Sequence, residues 1–247
     1  MIDATIVRLT MRQLLGQKRS ILMLAFALLP ILITLLYSLE NPENLTAQRW
    51  VAEVGLGEFV LGLVLPFSAL IFGTAALGQE FEDGTAVYLL AKPIPRYRII
   101  ASKLLVAWIA TAVTVVIATV PTSIIGLAGM DQDGILIGFL VGGVAGSFAY
   151  CAAFLWLSIA TSRALIVGLV YVFIWENVVV GLFDGVKFFS VSEYALGIAG
   201  LFITAPRRAF DPLLEPPSAV AFAALFTIAA IWLAIRGLRR WEIGEAA

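Results

Sequence analysis

Apolar runs interrupted at wide intervals by charge dominate the chain. A bilayer core about 30 Å thick takes about 20 helical residues at about 1.5 Å each, so charge-free windows of that length read as crossings. Arg19 and Glu40 bracket the first window, 20–39, and Glu58 and Glu80 bracket a second, 59–79. Lys103 and Asp131 bracket 104–130, and Asp133 and Arg163 bracket 134–162. Residues 164–183 are equally apolar except for Glu176, and a last window, 216–235, lies between Glu215 and Arg236. The pattern predicts an all-α polytopic membrane protein with six transmembrane helices. Windows such as 134–162 exceed one perpendicular crossing, which implies tilt or helix that leaves the lipid.

Composition agrees with that pattern. Of 247 residues, 61% are apolar and the mean hydropathy is +1.00, which excludes an ordinary soluble domain. The net charge of -1 conceals an asymmetry. With the N-terminus inside, the cytoplasmic segments hold twelve bases: Arg8, Arg12, Lys18, Arg19, Lys92, Arg96, Arg98, Lys103, Arg163, Arg236, Arg239 and Arg240. Arg49, Lys187, Arg207 and Arg208 remain outside, and the 130–134 turn carries Asp131 and Asp133 with no base. The positive-inside rule therefore puts both termini in the cytoplasm. No nucleic-acid partner is indicated. The single cysteine, Cys151, permits no intrachain disulfide, and the absence of histidine removes His-based zinc and Ser-His or Cys-His chemistry.

The whole chain, 1–247, reads as a single transmembrane domain. Residues 1–19 have helical composition, and Arg8, Arg12 and Arg19 fall within about 40° of one another at 100° per residue. An interfacial helix on the inner leaflet is expected there; a solvated basic N-terminus is the alternative. Residues 185–215 form the long external segment. It is apolar over 186–205 but broken by Lys187 and Glu193, which suits re-entrant or interfacial helices between spans five and six.

The cytoplasmic segment after span two, 79–98, carries the densest pattern. Three acids, Glu80, Glu82 and Asp83, precede Gly84 and Thr85; an apolar short helix is predicted at 86–91; Pro93 and Pro95 then break it before Arg96, Arg98 and Lys103. A rigid transverse helix with acids at one end and bases at the other is something a cytoplasmic partner can push on. A plain connecting loop bearing the bases that topology demands also fits the spacing.

Glu80 to Gly84 at a spacing of four, Thr85, Leu89-Leu90, Pro93, Arg96 and the lysine opening span three, Lys103, resemble the signature of ABC type-2 permeases, the membrane subunits of a class of ABC exporters. The layout of interfacial helix, six spans and external segment is similar along the full length, while the motif covers about 80–103. The small chain is most similar to the permeases of simple two-gene exporters, including the nitrous-oxide-reductase accessory type. The resemblance implies a permease subunit, not an enzyme, in the cytoplasmic membrane of a prokaryote. It implies an exporter working by alternating access, with a second permease copy (the same or a similar chain), membrane lipid around it, and a separate ATP-binding subunit. No G-x-x-x-x-G-K-[ST] loop occurs in the chain, so no cofactor is expected here and ATP and Mg belong to the partner. By the resemblance 79–98 is the coupling helix, with Glu80, Glu82, Gly84 and Thr85 fixing it at the end of span two and Pro93, Arg96 and Lys103 at the start of span three. The 161–163 turn would make a smaller second contact.

Inside the spans, Trp175-Glu176-Asn177 is the most polar point. An acid near a helix centre costs about 2.5–3.5 kcal/mol on insertion scales, so Glu176 must face protein or water. Glu176 and Asn177 are candidates for a translocation path; an acid close to the outer interface, or one bonded to a neighbouring helix, is the alternative. Gly134, Gly138, Gly142 and Gly146 recur every four residues and predict close approach of another helix, of this chain or a second copy. Pro66 and Pro121 predict kinks. The rival functions are an ion-coupled secondary transporter using Glu176 and a non-transporting membrane assembly subunit.

Overall fold

A computed structural model of the protein describes residues 4–15, 18–39, 44–82, 84, 94–128, 134–182, 184–204 and 212–244. They are helical, without a strand among the described residues. Helix α1 spans Ala4–Leu15 and α2 spans Lys18–Ser38. Next comes a continuous rod, α3, made of Asn44–Trp50, a π-helical stretch Val51–Val64, and Leu65–Glu82. Helix α4 is Arg96–Gly126 and α5 is Ile135–Ala160. Helix α6 joins Ala164–Val170, a second π-helical stretch Tyr171–Val179, and Val180–Leu182. A 3-10 turn, Asp184–Phe189, leads to the short helix α7, Val191–Ala199, and the last helix, α8, is Pro216–Gly244.

Among the described residues five helices are long and apolar enough to cross a membrane: Ile21–Ser38, Ala47–Phe81, Arg96–Gly126, Ile135–Ala160 and Pro216–Arg239. The expected fifth crossing is the shorter apolar helix Ala164–Val179, which carries Glu176. The second helix also starts earlier than the charge-free window at 59–79, because the charges that bound that window do not stop the helix. Arg49 pairs with Glu53 one turn on at 3.0 Å, and Glu58 is exposed. The ring of Trp50 stacks on Tyr37 at 3.9 Å, tying the start of α3 to the end of α2.

Helices α3 and α5 form the centre. Val51, Leu56, Val60, Leu61 and Leu65 of α3 and Phe139, Tyr150 and Cys151 of α5 are fully buried. Where Gly73 of α3 faces α5, a Cβ would lie 3.0 Å from Phe154 Cβ, so the two backbones approach closely. Helices α2 and α8 lie outside, presenting Ile21, Leu28, Leu36, Leu225, Ile228 and Trp232 at the surface, as suits a lipid-facing rim. Cys151 is buried with its Sγ 3.2 Å from Thr111 Oγ1, a packing residue as the apolar run around it predicts. Helix α1 buries Ile6, Thr10 and Leu14 and exposes Arg8, Leu9, Met11 and Arg12.

The glycine repeat has its partner within this chain. A Cβ at Gly138 would lie 2.6 Å from Ala199 O, and one at Gly146 would lie 2.8 Å from Ala195 Cβ; Gly142 meets the carbonyl of Ala195 in the same way. The facing helix is α7, whose own Gly197 lies against Leu214 and against Ala219 of α8. The 185–215 segment therefore sends a helix down along the first half of α5. Small residues on both sides are what permit this, since van der Waals contact drives helix association in lipid.

The π-helical stretches have a physical signature. Leu65 N–H donates to Val60 O and Val180 N–H donates to Trp175 O, both five residues back. In α3 the wide register ends one residue before Pro66, which has no N–H to give and would crowd the carbonyl four residues back. Pro121 lies inside α4 and Pro30 inside α2.

Candidate functional site

Two polar clusters stand at opposite ends of the bundle. At one end α3 finishes at Glu82, and Gly84 takes φ +68° with its N–H on Phe81 O at 3.3 Å. A left-handed residue just past a helix is the usual place for glycine, because a Cβ there is strained. Pro95 then precedes α4, receiving the N–H of Arg98 on its carbonyl at 2.9 Å, and the half-buried Arg96 opens the helix. Two turns further on, Lys103 is 1% exposed, and its Nζ reaches Glu80 Oε1 at 2.6 Å. Desolvating an ammonium is expensive, so the pair fixes the end of α3 and the start of α4 in one relative position.

Of the predicted coupling residues, Glu80, Gly84, Arg96 and Lys103 thus come together at one end. Thr85, Pro93 and the helix expected at 86–91 lie outside the described residues, as does the side chain of Glu82. The turn at 161–163 is adjacent: a cleft of about 200 Å³ is lined by Gly78, Gln79 and Phe81 of α3 with Ser158, Thr161 and Ser162.

The second cluster centres on Glu176. Its Oε1 accepts from Tyr171 OH at 2.8 Å and from the Val191 N–H at 3.0 Å; its Oε2 accepts from Ser190 Oγ at 2.5 Å and Ser192 Oγ at 3.0 Å. Ser190 also caps α7, its Oγ accepting the Glu193 N–H at 3.2 Å. The carboxylate therefore sits at the N-terminus of α7, where unpaired N–H groups and the helix dipole favour negative charge. Asn177 Nδ2 donates to Val172 O at 2.8 Å, a carbonyl five residues back in the widened register. The alternative of an acid bonded to a neighbouring element is what the structure shows for Glu176, and the same residue borders a cavity.

That cavity, about 420 Å³, lies between the two π-helical stretches and α7. Its walls are Ala52, Glu53, Gly57, Glu58 and Gly62 on α3, Glu176 and Asn177 on α6, Ser192, Glu193 and Leu196 on α7, and Pro212 with Leu213. Burial raises the Glu193 carboxyl above the usual range; Lys187 opposes that shift and Glu176 adds to it. The Tyr194 phenol is pushed up to about 12 by burial and the same carboxylate. Sequence reasoning placed Glu176 and Asn177 here but missed Ser190, Ser192, Glu193, Glu53 and Glu58. One signal was available: Ser190-Val-Ser-Glu193 matches the capping-box spacing that announces a helix start.

The sequence model of the family described as ABC-2 family transporter protein matches residues 17–189. The chain belongs to this family, a membrane component of transport rather than a catalyst. The match runs from α2 to the 3-10 turn, so α7 and α8 lie beyond it. No curated protein matches the chain.

Proposed function

We propose that the chain is the permease subunit of an ABC exporter in the cytoplasmic membrane of a prokaryote. It crosses six times, with α6 as the fifth crossing, keeps both termini inside, and sets α7 into the outer leaflet as a re-entrant helix. A second copy, or a similar chain, completes the path. A separate ATPase, which holds ATP and Mg, seats the 79–98 segment and drives alternating access.

The observation that carries this reading is the buried Glu80–Lys103 pair at 2.6 Å. A push on the segment between those residues is transmitted to α3 and α4 together, because the helices cannot part without stranding a buried charge. Glu82, Gly84, Thr85, Pro93 and Arg96 shape the segment itself, and the 161–163 turn beside it gives the smaller second contact. Glu176, held by four hydrogen bonds, serves better as an anchor for α7 than as a proton carrier, which disfavours an ion-coupled transporter.

Co-expression with the ATPase encoded beside it is the test. A stable complex whose vanadate-sensitive ATP hydrolysis changes in Glu82→Ala supports the assignment. Transport that persists without ATP, or with no ATPase bound, refutes it.

A further inference from the structure

A cavity of about 310 Å³ lies between α1, α2 and α4, with the buried Phe72 of α3 also in its wall. Its longest wall is one stripe of α4, where Val106, Ala110, Val113 and Ile117 recur every three or four residues. Helix α1 contributes Met11 and Leu14, and α2 contributes Leu24. Thr114 is the only polar side chain among the lining residues, and its Oγ1 already donates to Ala110 O at 2.9 Å. The wall therefore offers nothing to a polar occupant. Met11, Leu24 and Val113 are exposed, so the cavity is a slot open to the surface.

The dimensions of the slot select what can fill it. From Val106 to Ile117 the stripe covers about 16 Å at about 1.5 Å per residue, which is half of a bilayer core about 30 Å thick. Spread over that length, about 310 Å³ leaves a slot roughly 5 Å across. A helix needs about 10–12 Å with its side chains, so no helix of a second copy enters. One extended hydrocarbon chain, a single leaflet deep, does.

Charge begins where the slot opens. Arg8 lies one turn before Met11 and Arg12 next to it; both are exposed, and neither has an ion-pair partner among the described residues. At 100° per residue the order around α1 runs from the buried Thr10 through Leu14 and Met11 to Arg8 and Arg12. The two guanidinium groups thus follow directly on the residues that line the slot. With the N-terminus inside, this rim faces the cytoplasmic leaflet, whose surface is negative.

We infer that the slot between α1, α2 and α4 holds one acyl chain of an anionic phospholipid from the cytoplasmic leaflet, with its phosphate bonded by Arg8 and Arg12. Lipid tails are as apolar as the wall, so the chain gains little over bulk bilayer and selectivity falls to the charge-assisted bonds at the headgroup. The planar fork of each arginine suits phosphate oxygens, whereas a zwitterionic headgroup brings its own ammonium to the same two cations. The inference rests on the proposed orientation only for the choice of leaflet.

The experiment uses the full chain in detergent and counts bound lipid by native mass spectrometry. Phosphatidylglycerol is titrated against phosphatidylcholine with identical acyl chains, and against glycerol phosphate, which carries the anionic head without a chain. The expected result is phosphatidylglycerol bound at least about tenfold tighter than phosphatidylcholine, with no binding of glycerol phosphate. The double change Arg8→Gln with Arg12→Gln should abolish that preference, and Ala110→Phe, which fills the slot from α4, should weaken phosphatidylglycerol by a similar factor. Both arginines are exposed, so the double variant folds whatever becomes of Ala110→Phe. Equal binding of the two lipids, a preference that survives loss of both arginines, or unchanged affinity in Ala110→Phe overturns the inference. Orientation is tested separately with Arg8→Cys, since the native Cys151 is buried. A membrane-impermeant maleimide should label it in inside-out vesicles and not in intact cells. Labelling in intact cells would remove the cytoplasmic leaflet and the proposed orientation together, while a lost lipid preference removes the site and leaves the orientation standing.

Discussion

Glu80 and Lys103, 23 positions apart in the chain, meet at 2.6 Å across the gap between α3 and α4. The two side chains are unequally buried, 17% exposed for the acid and 2% for the base. That asymmetry orders the variants. Glu80→Leu strands an ammonium with no route to water and should cost about 3 kcal/mol or more. Lys103→Met leaves a carboxylate that can still reach solvent and should cost less, and the double change Glu80→Leu with Lys103→Met should recover most of the loss. Thermal unfolding of the four proteins in one detergent decides the order.

The glycine repeat makes a sharp steric prediction. Gly138→Ala would drive a Cβ to 2.6 Å from Ala199 O, a backbone atom that cannot rotate away, so α7 must shift. A loss of about 1–3 kcal/mol is expected from such overpacking. Gly185→Ala is the control, since nothing lies within 4 Å of its Cβ position, and it should fall within about 0.5 kcal/mol of the parent.

Ser190 performs two tasks with one hydroxyl, capping α7 and donating to Glu176. Ser190→Ala should therefore cost about 1–2 kcal/mol, the range for a lost helix cap, and Ser190→Thr should restore most of it.

Glu193 sets a pH dependence. Its carboxyl is raised above the unfolded value chiefly by burial, so the folded chain holds this proton more tightly than the unfolded one. The contribution is fully present below the unfolded value and is lost as pH rises through the folded value. Stability should thus decline as pH rises above the unfolded carboxyl value, and Glu193→Gln should flatten that limb. An identical pH profile in the variant would show that another group titrates there.

Tyr150 is fully buried with its hydroxyl beside Glu176 and Ser192, though it closes no hydrogen bond of ordinary geometry to either. Tyr150→Phe removes only that hydroxyl while keeping the ring stacked on Phe154, and should change stability by no more than about 1 kcal/mol. Chemical denaturation in mixed micelles would show it.

Most of the helices were legible because charge marks their limits in lipid. Arg19 and Arg163 sit at helix starts and Lys103 two turns into one, and the windows they bound contain three of the long apolar helices or their cores. The second helix exceeded its window because a charge stops a helix from crossing lipid but not from being a helix. Glu53 and Glu58 continue the rod in an interface where Arg49 or water can meet them. The site was half legible. Glu176 stands alone in an apolar run and announces itself, whereas Glu193 sits among serines in a segment already expected to be polar. Its burial follows from tertiary packing, which no spacing rule encodes. The repeat at Gly134 to Gly146 gave the face but not the neighbour, since either copy of the chain could supply small residues.

At its glycines the contact between α5 and α7 sets backbone and alanine methyls against backbone, so the interlocking there is shallow. Such a surface resembles a rail: it resists separation along its whole length but offers few teeth against sliding. Any rearrangement at that mouth is therefore expected to proceed by shear of α7 along α5, carrying the N-terminal cap and its hold on Glu176 with it, rather than by a hinge that swings the helix clear.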